Sequence, residues 1–293
     1  MKKVDFLATD GVLLNGFLWK SKENTQDVIL AVHGMASNCF KKRDEIIAQK
    51  ANEAGMDYFG FNNRGSELVK YIKKNIEGRN VEKLAGTSYE DILEGYEDIV
   101  GAILKLKELG YRNIYLQGHS LGCTKIVYTY NELKEEREDD ILENIKGMIL
   151  LSLIDIPNAL KVYLGDKFQE YLKLAEDKQE QGKKLEFMPK EAFIHPISVK
   201  TFLRYARDYQ EIDFANYGED TELKTLNHIT VPLFMRWGND KEMILQKADE
   251  LVAIVNHNIT NPKKDIDSIE GANHSYTGKE EILAEQIVQF IKV

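Results

Sequence analysis

The sequence predicts an α/β fold: a mostly parallel, eight-stranded sheet with helices on both faces and a helical insertion after the sixth strand. Three observations predict it. Short apolar runs alternate with amphipathic helical stretches through most of the chain, the pattern of a parallel sheet covered on both sides. One apolar run, Ile114–Gln117, leads through Gly118 directly into a helical run, with a serine at the junction. Between residues 157 and 227 the alternation stops, and helical spacing continues with no strand signal.

The elements follow in order. Phe6–Trp19 reads as a hairpin, because Asp10-Gly11 is a tight-turn dipeptide between two partly alternating apolar runs. Val28–Val32 is a short apolar run ending near Gly34, as in a buried strand. A helix is expected over 41–54, with Gly55 as its C-terminal stop. Tyr58–Phe61 is the fourth strand, and it runs into Asn62-Asn63-Arg64-Gly65. Residues 66–86 read as polar and irregular. Ile92, Tyr96, Ile99, Ile103 and Leu106 fall at helical spacing, so a helix is expected over 88–109, with Ser88 and Asp91 as a capping box and Gly110 at its end.

After the strand at 114–117, a helix is expected to about Lys134 and a sixth strand at Met148–Ser152. The stretch 157–227 is too long for a structureless loop and reads as a helical cap. Val231–Trp237, Leu245–Val255, Ile266–Ile269 and Glu281–Ile291 then give strand, helix, strand and helix. The reading is one domain spanning 1–293, with 157–227 as a cap or lid inserted into it.

Composition limits the function. The chain has 293 residues, of which 43% are hydrophobic and 30% charged, enough to build a sizeable core. The net charge of −9 removes any electrostatic reason to hold nucleic acid. Cys39 and Cys123 are the only cysteines, which fits a reducing compartment. After Lys2-Lys3, the polar residues Asp5, Asp10 and Asn15 interrupt any leader-like apolar run, and no stretch is long enough to span a membrane. A cytoplasmic location is expected. No zinc-spaced ligand set and no phosphate-cradling loop is present, so neither metal nor cofactor is expected.

The chemistry centres on Gly118-His119-Ser120-Leu121-Gly122, which fits G-x-S-x-G in a strand–turn–helix context. A sharp turn there lifts the Ser120 hydroxyl above the sheet at the positive end of the following helix. A serine hydroxyl is a weak nucleophile near neutral pH and needs a base within hydrogen-bond reach.

With this motif in place, the sequence resembles the α/β-hydrolase superfamily over nearly its whole length. Within it, the stretch from Gly86 to Tyr130 most resembles an uncharacterised esterase-like family. The resemblance implies a Ser, acid, His order along the chain. Gly271-Ala272-Asn273-His274-Ser275 is similar to the family's histidine loop, which makes His274 the expected base. His33-Gly34-Met35 resembles the oxyanion loop, so the expected donors are the main-chain N–H groups of Met35 and Leu121. The acid stays open. The family's usual position, three residues after Gly238, is Lys241; Asp240 is favoured, Glu242 is the alternative and Asp155 the third candidate. His119 and the His33 imidazole read as packing groups, and Arg64 as a pocket or bracing residue.

The expected activity is hydrolysis of a small carboxylic or acyl-chain ester through an acyl-serine. The alternatives are a thioesterase, a serine aminopeptidase-like peptidase, and a non-catalytic binder of ligands or partners. A peptidase would use acids in the cap, such as Glu170, Glu176 and Asp177, to hold a substrate amine. Cap aromatics, among them Tyr163, Phe168, Tyr171, Phe187, Phe193, Phe202, Tyr205 and Tyr209, would pack the cap or line an acyl pocket. The substrate's acyl and leaving groups and the oligomeric state are left open.

Overall fold

The structure is a computed structural model, and it describes residues 1–207 and 222–292. Tyr209, one of the cap aromatics, lies outside the described residues. In chain order the elements are β1 (Lys2–Leu7), β2 (Leu13–Trp19), β3 (Asp27–Val32), α1 (Lys42–Glu53), β4 (Asp57–Asn62), β5 (Lys70–Ile76), β6 (Arg79–Ala85), α2 (Gly95–Glu108), β7 (Asn113–His119) and α3 (Leu121–Glu135). They continue with α4 (Asp139–Leu142), β8 (Ile145–Leu151), α5 (Ile156–Leu164), α6 (Phe168–Glu180), α7 (Val199–Ala206), α8 (Lys224–Asn227), β9 (Leu233–Gly238), α9 (Ala248–Asn258), β10 (Lys264–Ile269) and α10 (Glu280–Lys292).

Eight strands form one sheet in the order β1-β2-β4-β3-β7-β8-β9-β10. β1, β2 and β4 pair antiparallel, and every pairing from β4 to β10 is parallel. The strands at the centre are apolar on both sides, because successive side chains point to opposite faces and both faces are covered. On one face Val28, Leu30, Val32, Leu116, Met148, Leu150 and Met235 pack into the core containing α2, α3 and α9. On the other, Ile29, Ala31, Tyr58, Ile149, Leu151 and Phe234 meet α1 and α10. Helices α5, α6 and α7 lie between β8 and β9 in sequence. Their buried residues Leu160, Phe168, Tyr171, Phe202 and Tyr205 join the first of these cores. Among the described residues, no helix is long and apolar enough to cross a membrane.

Three local expectations are corrected. Residues 70–85, expected to be irregular, form the β5–β6 hairpin, paired antiparallel from Lys70↔Ala85 to Ile76↔Arg79. Its turn is Glu77-Gly78, both at positive φ (49° and 81°), as a two-residue hairpin of primed type requires. Most of its residues are exposed, so no hydrophobic alternation marked it. The helix expected over 88–109 begins at Gly95, after two short 3₁₀ turns at 87–89 and 92–94. The capping box does not form. The Asp91 carboxylate accepts from the Leu93 N–H at 3.2 Å, while the Ser88 hydroxyl donates to the Pro196 carbonyl at 2.6 Å. The helix expected over 245–255 runs instead over 248–258.

The loop after β4 is braced by buried charge. Arg64, 2% exposed, donates to Asp98 Oδ1 from Nε at 2.9 Å and from Nη2 at 2.7 Å, and it also reaches Asp10 at 2.9 Å. This places Arg64 in the interior as a brace. Removing one partner of such a pair leaves an uncompensated charge in low dielectric. Arg64→Ala is therefore expected to lower unfolding free energy by about 3–5 kcal/mol. Lys3→Ala, at the exposed Lys3–Asp5 pair, is expected to change it by under about 1 kcal/mol. Urea melts of the two variants check the contrast.

Candidate active site

The site assembles where the C-terminal ends of β3, β7, β8, β9 and β10 converge. Ser120 follows β7 and is the N-cap of α3. Its backbone is held at φ 54°, ψ −124°, a conformation rarely adopted by residues other than glycine. The flanking glycines are dictated by contact. A Cβ on Gly118 would stand 2.6 Å from Cys123 N and Cα, and one on Gly122 would stand 2.2 Å from the Val32 carbonyl oxygen. The turn is tied down by the Ser120 N–H donating to the Leu151 carbonyl at 2.8 Å.

His274 lies in the loop after β10, whose shape comes from Asn273: its Oδ1 accepts from the Ser275 and Thr277 N–H groups, both at 3.0 Å. The Nδ1 atom of His274 meets Glu242 Oε1. With Nδ1–H donating to that carboxylate, Nε2 is left as the basic nitrogen. Glu242 is itself held by three donors. The Ser152 hydroxyl at 2.7 Å and the Gly238 N–H at 3.0 Å reach Oε2, and the Met243 N–H at 2.9 Å reaches Oε1. Burial alone would raise the Glu242 pKa. The hydrogen bond and charge of His274, with the Ser152 hydroxyl and the Met243 amide, outweigh burial and hold it below its ordinary value.

His274 thus meets Glu242, the alternative candidate, and not the favoured Asp240. Asp240 is exposed and only its N–H is anchored, to the Ala272 carbonyl at 2.8 Å. Lys241 then takes a left-handed conformation, φ 53°, which turns the chain so that residue 242 faces His274. Asp155 caps α5, accepting from the Asn158 N–H at 3.2 Å.

Two histidines brace the loops. The Nε2–H of His119 donates to the His274 carbonyl at 2.7 Å, and the two rings lie 4.9 Å apart. Burial first, then the charges of Arg43 and His274, push the His119 pKa well down, so its ring is neutral. His33 donates from Nδ1 to the Gly34 carbonyl at 2.9 Å and accepts at Nε2 from the Asn63 N–H at 3.3 Å. Burial, aided by the charge of Lys125, lowers its pKa to about 3. His33 thus ties the loop after β3 to the loop after β4.

The two expected oxyanion donors stand beside the elbow. Leu121 is the first residue of α3, so its N–H has no partner within the helix. Gly34 lies so close that a Cβ there would be 3.0 Å from Ser120 Cβ and 3.5 Å from Leu121 N, which brings the Gly34-Met35 loop against the same turn. No hydrogen bond joins Ser120 Oγ to His274 among the described residues, but both line one cavity of about 680 Å³. Ligand-free enzymes often hold such pairs loosely. The cavity also exposes Met35, Ile154, Leu160, Tyr163 and Phe193. Glu170, Glu176 and Asp177 are not on its wall. Phe168, Tyr171, Phe202 and Tyr205 are buried in packing, and Phe187 packs against Tyr89 with the rings tilted by 41° and their centroids 5.4 Å apart.

Ser152 was not singled out from the sequence, since a serine closing an apolar strand carries no motif. The thiols are packing groups: burial pushes Cys39 up to about 12 and Cys123 higher still, far from a reactive thiolate. Among the described residues, no group of three His, Cys, Asp or Glu side chains could hold a metal ion.

No family model matches the sequence, and no curated protein matches it. Solved structures do. Est1E from Butyrivibrio proteoclasticus with bound ferulic acid is 18% identical with a TM-score of 0.67, covering 98% of this chain and 97% of that one. The α/β hydrolase GrgF from Penicillium sp. sh18 is 14% identical with a TM-score of 0.69, covering 99% and 97%. A soluble variant of the monoglyceride lipase from Saccharomyces cerevisiae, in complex with a substrate analogue, is 14% identical with a TM-score of 0.61, covering 98% and 93%.

Two outcomes follow from the geometry. Should the site hydrolyse esters, Glu242→Gln is expected to reduce kcat for a p-nitrophenyl ester by at least about a hundredfold, and Asp240→Asn by less than about threefold, checked by steady-state kinetics. The second concerns pH. His33 has a folded pKa near 3 against about 6.5 unfolded, so the unfolded chain binds the extra proton. The stability due to its neutral form is complete above about pH 6.5 and is lost as pH falls toward 3. Tm measured downward from about pH 7 is expected to drop less steeply in His33→Gln than in the parent.

Proposed function

We propose that this chain, whose fold is that of the α/β hydrolases, is a serine hydrolase that cleaves a carboxylic ester through an acyl-serine intermediate. The observation that carries the reading is the strained elbow at Ser120, which shares one cavity wall with a histidine whose Nδ1 is held by a buried carboxylate. In this reading Ser120 is the nucleophile, His274 the base and Glu242 the acid. The Met35 and Leu121 amides are the oxyanion donors, and the helical insertion within 157–227 caps the site of a single-domain enzyme.

His274 Nε2 takes the Ser120 proton as Oγ attacks the ester carbonyl carbon. Charge gathers on the carbonyl oxygen, where two fixed N–H dipoles stabilise it without reorganising. The imidazolium, stabilised by Glu242, passes its proton to the departing alkoxide. Water then loses a proton to Nε2 and attacks the acyl carbon, and the acid leaves as Ser120 regains its proton. The apolar wall built by Ile154, Leu160, Tyr163 and Phe193 favours an acyl group over a polar one. The absence of Glu170, Glu176 and Asp177 from that wall weighs against a peptidase that grips an amine. A thioester would use the same machinery.

Reaction with a fluorophosphonate probe tests the reading. The expected result is one adduct, mapped to Ser120, absent in Ser120→Ala and formed at least about a hundredfold more slowly in His274→Ala. Folded protein that takes up no probe and turns over no p-nitrophenyl ester would overturn it, in favour of a ligand-binding relative.

A further inference from the structure

The short 3₁₀ turn at Thr87–Tyr89 stands between the Gly34-Met35 loop and the insertion, and it hydrogen bonds to both. Thr87 and Ser88 are buried, at 1% and 0% exposure. The Thr87 hydroxyl has one proton, which goes to the Gly65 carbonyl at 2.8 Å. Its oxygen is thereby oriented to accept, and it takes the Ala36 N–H at 2.7 Å. A second link runs through Glu67. The Thr87 N–H donates to the Glu67 carbonyl at 2.9 Å, and the Glu67 N–H donates to the Ser37 carbonyl at 3.1 Å. The loop is therefore held at residues 36 and 37. Ala36 sits at φ 49°, a left-handed conformation that a residue with a Cβ keeps only where its neighbours enforce it. The Met35 N–H, one peptide earlier, makes no backbone hydrogen bond among the described residues, and Met35 lines the cavity.

Ser88 makes the matching contacts with the insertion. Its hydroxyl donates to the Pro196 carbonyl at 2.6 Å, and its carbonyl accepts from the Ser198 N–H at 2.8 Å. These bonds clasp the residues directly after Phe193-Ile194-His195, which line the cavity. Phe193 in turn stacks on buried Tyr205 of α7, with ring centroids 5.9 Å apart. Neither hydroxyl hydrogen bonds within its own turn, so local structure does not account for them. An apolar side chain at either position would leave a main-chain group without this partner: the Ala36 N–H for Thr87, the Pro196 carbonyl for Ser88.

We propose that Thr87 and Ser88 are positioning residues that join the two halves of the site: Thr87 fixes the Met35 amide where the oxyanion forms, and Ser88 fixes the wall that carries Phe193. The proposal rests on the serine hydrolase reading. The two neighbours then act on different kinetic constants. Oxyanion stabilisation exists only in the transition state, so Thr87 acts on kcat. The wall meets the acyl group in the bound ester as well, so Ser88 acts on KM.

The test compares Thr87→Val, Thr87→Ser and Ser88→Ala with the parent on p-nitrophenyl acetate and hexanoate, with amide hydrogen exchange of residues 34–37. Thr87→Val is expected to lower kcat at least about tenfold with KM within about twofold, and Thr87→Ser to restore kcat to within about threefold. Binding of an alkyl trifluoromethyl ketone, whose hemiketal with Ser120 carries the oxyanion, is expected to weaken in step with kcat. Ser88→Ala is expected to raise KM for the hexanoate at least about threefold, with kcat within about twofold and little change on the acetate. Thr87→Ala removes the same hydroxyl and carries the test if Thr87→Val does not fold. Parental kcat and ketone binding in a folded Thr87→Val protein overturn the role of Thr87, and so does failure of Thr87→Ser to restore them. An unchanged hexanoate KM in Ser88→Ala overturns the role of Ser88, and equal loss of kcat in both variants overturns the division between them. A parent that takes up no fluorophosphonate and hydrolyses no ester removes the hydrolase reading instead. Faster exchange of the Met35 and Ala36 amides in Thr87→Val than in Thr87→Ser then supports the clasp, and equal exchange overturns it.

Discussion

The close contact between the β7–α3 turn and strand β3 is the constraint on which the rest of the site depends. Gly122 presses on the Val32 carbonyl and Gly118 on Cys123, so the chain can turn from strand to helix only with Ser120 at positive φ. Such strain persists only where surrounding packing over-determines it. Here the packing is the apolar core on that face of the sheet, which fixes β3, β7 and α3 together. Because β3 is held against the elbow, the Gly34-Met35 loop at its end comes to the same place. One close approach thus positions both the hydroxyl and the neighbouring main-chain amides.

Buried polar contacts transmit that order to the loops. His33 links the β3 loop to Asn63, and Lys125, from α3, donates to Asn63 Oδ1 at 3.2 Å and pairs with buried Glu90. Arg64 then anchors the same loop to Asp98 and Asp10. On the opposite side, His119 holds the carbonyl of His274 while Ser152 and Tyr276 hydrogen bond beneath Glu242. Each of these groups is expensive to bury alone and finds at least one partner elsewhere in the chain, although Asn63 Nδ2 and Glu90 Oε2 are left without a hydrogen bond. The loops of the site are therefore fixed by hydrogen bonds more than by apolar packing. The neutral state of His33 and His119 keeps additional positive charge away from the elbow.

The expectations succeeded where one physical signal dominated a short segment. The eight sheet strands and the strand–turn–helix at Ser120 each carry a local pattern: an apolar run or a fixed glycine spacing. The reading failed where the deciding contact was remote. The β5–β6 hairpin has little buried face, so its residues show no period. Ser88 was read as a helix cap, yet its hydroxyl goes to Pro196, 108 residues along the chain.

The sequence by itself determined the α/β alternation and the strand–turn–helix elbow at Ser120, because local propensity, period and glycine spacing are written residue by residue. Only the tertiary structure shows which carboxylate meets His274: Glu242, and not Asp240. That choice turns on the left-handed Lys241 and on three donors, Ser152, Gly238 and Met243, that converge on one carboxylate from β8 and the end of β9. Two carboxylates two residues apart look alike in a sequence; the folded chain separates them by which one it can bury with partners.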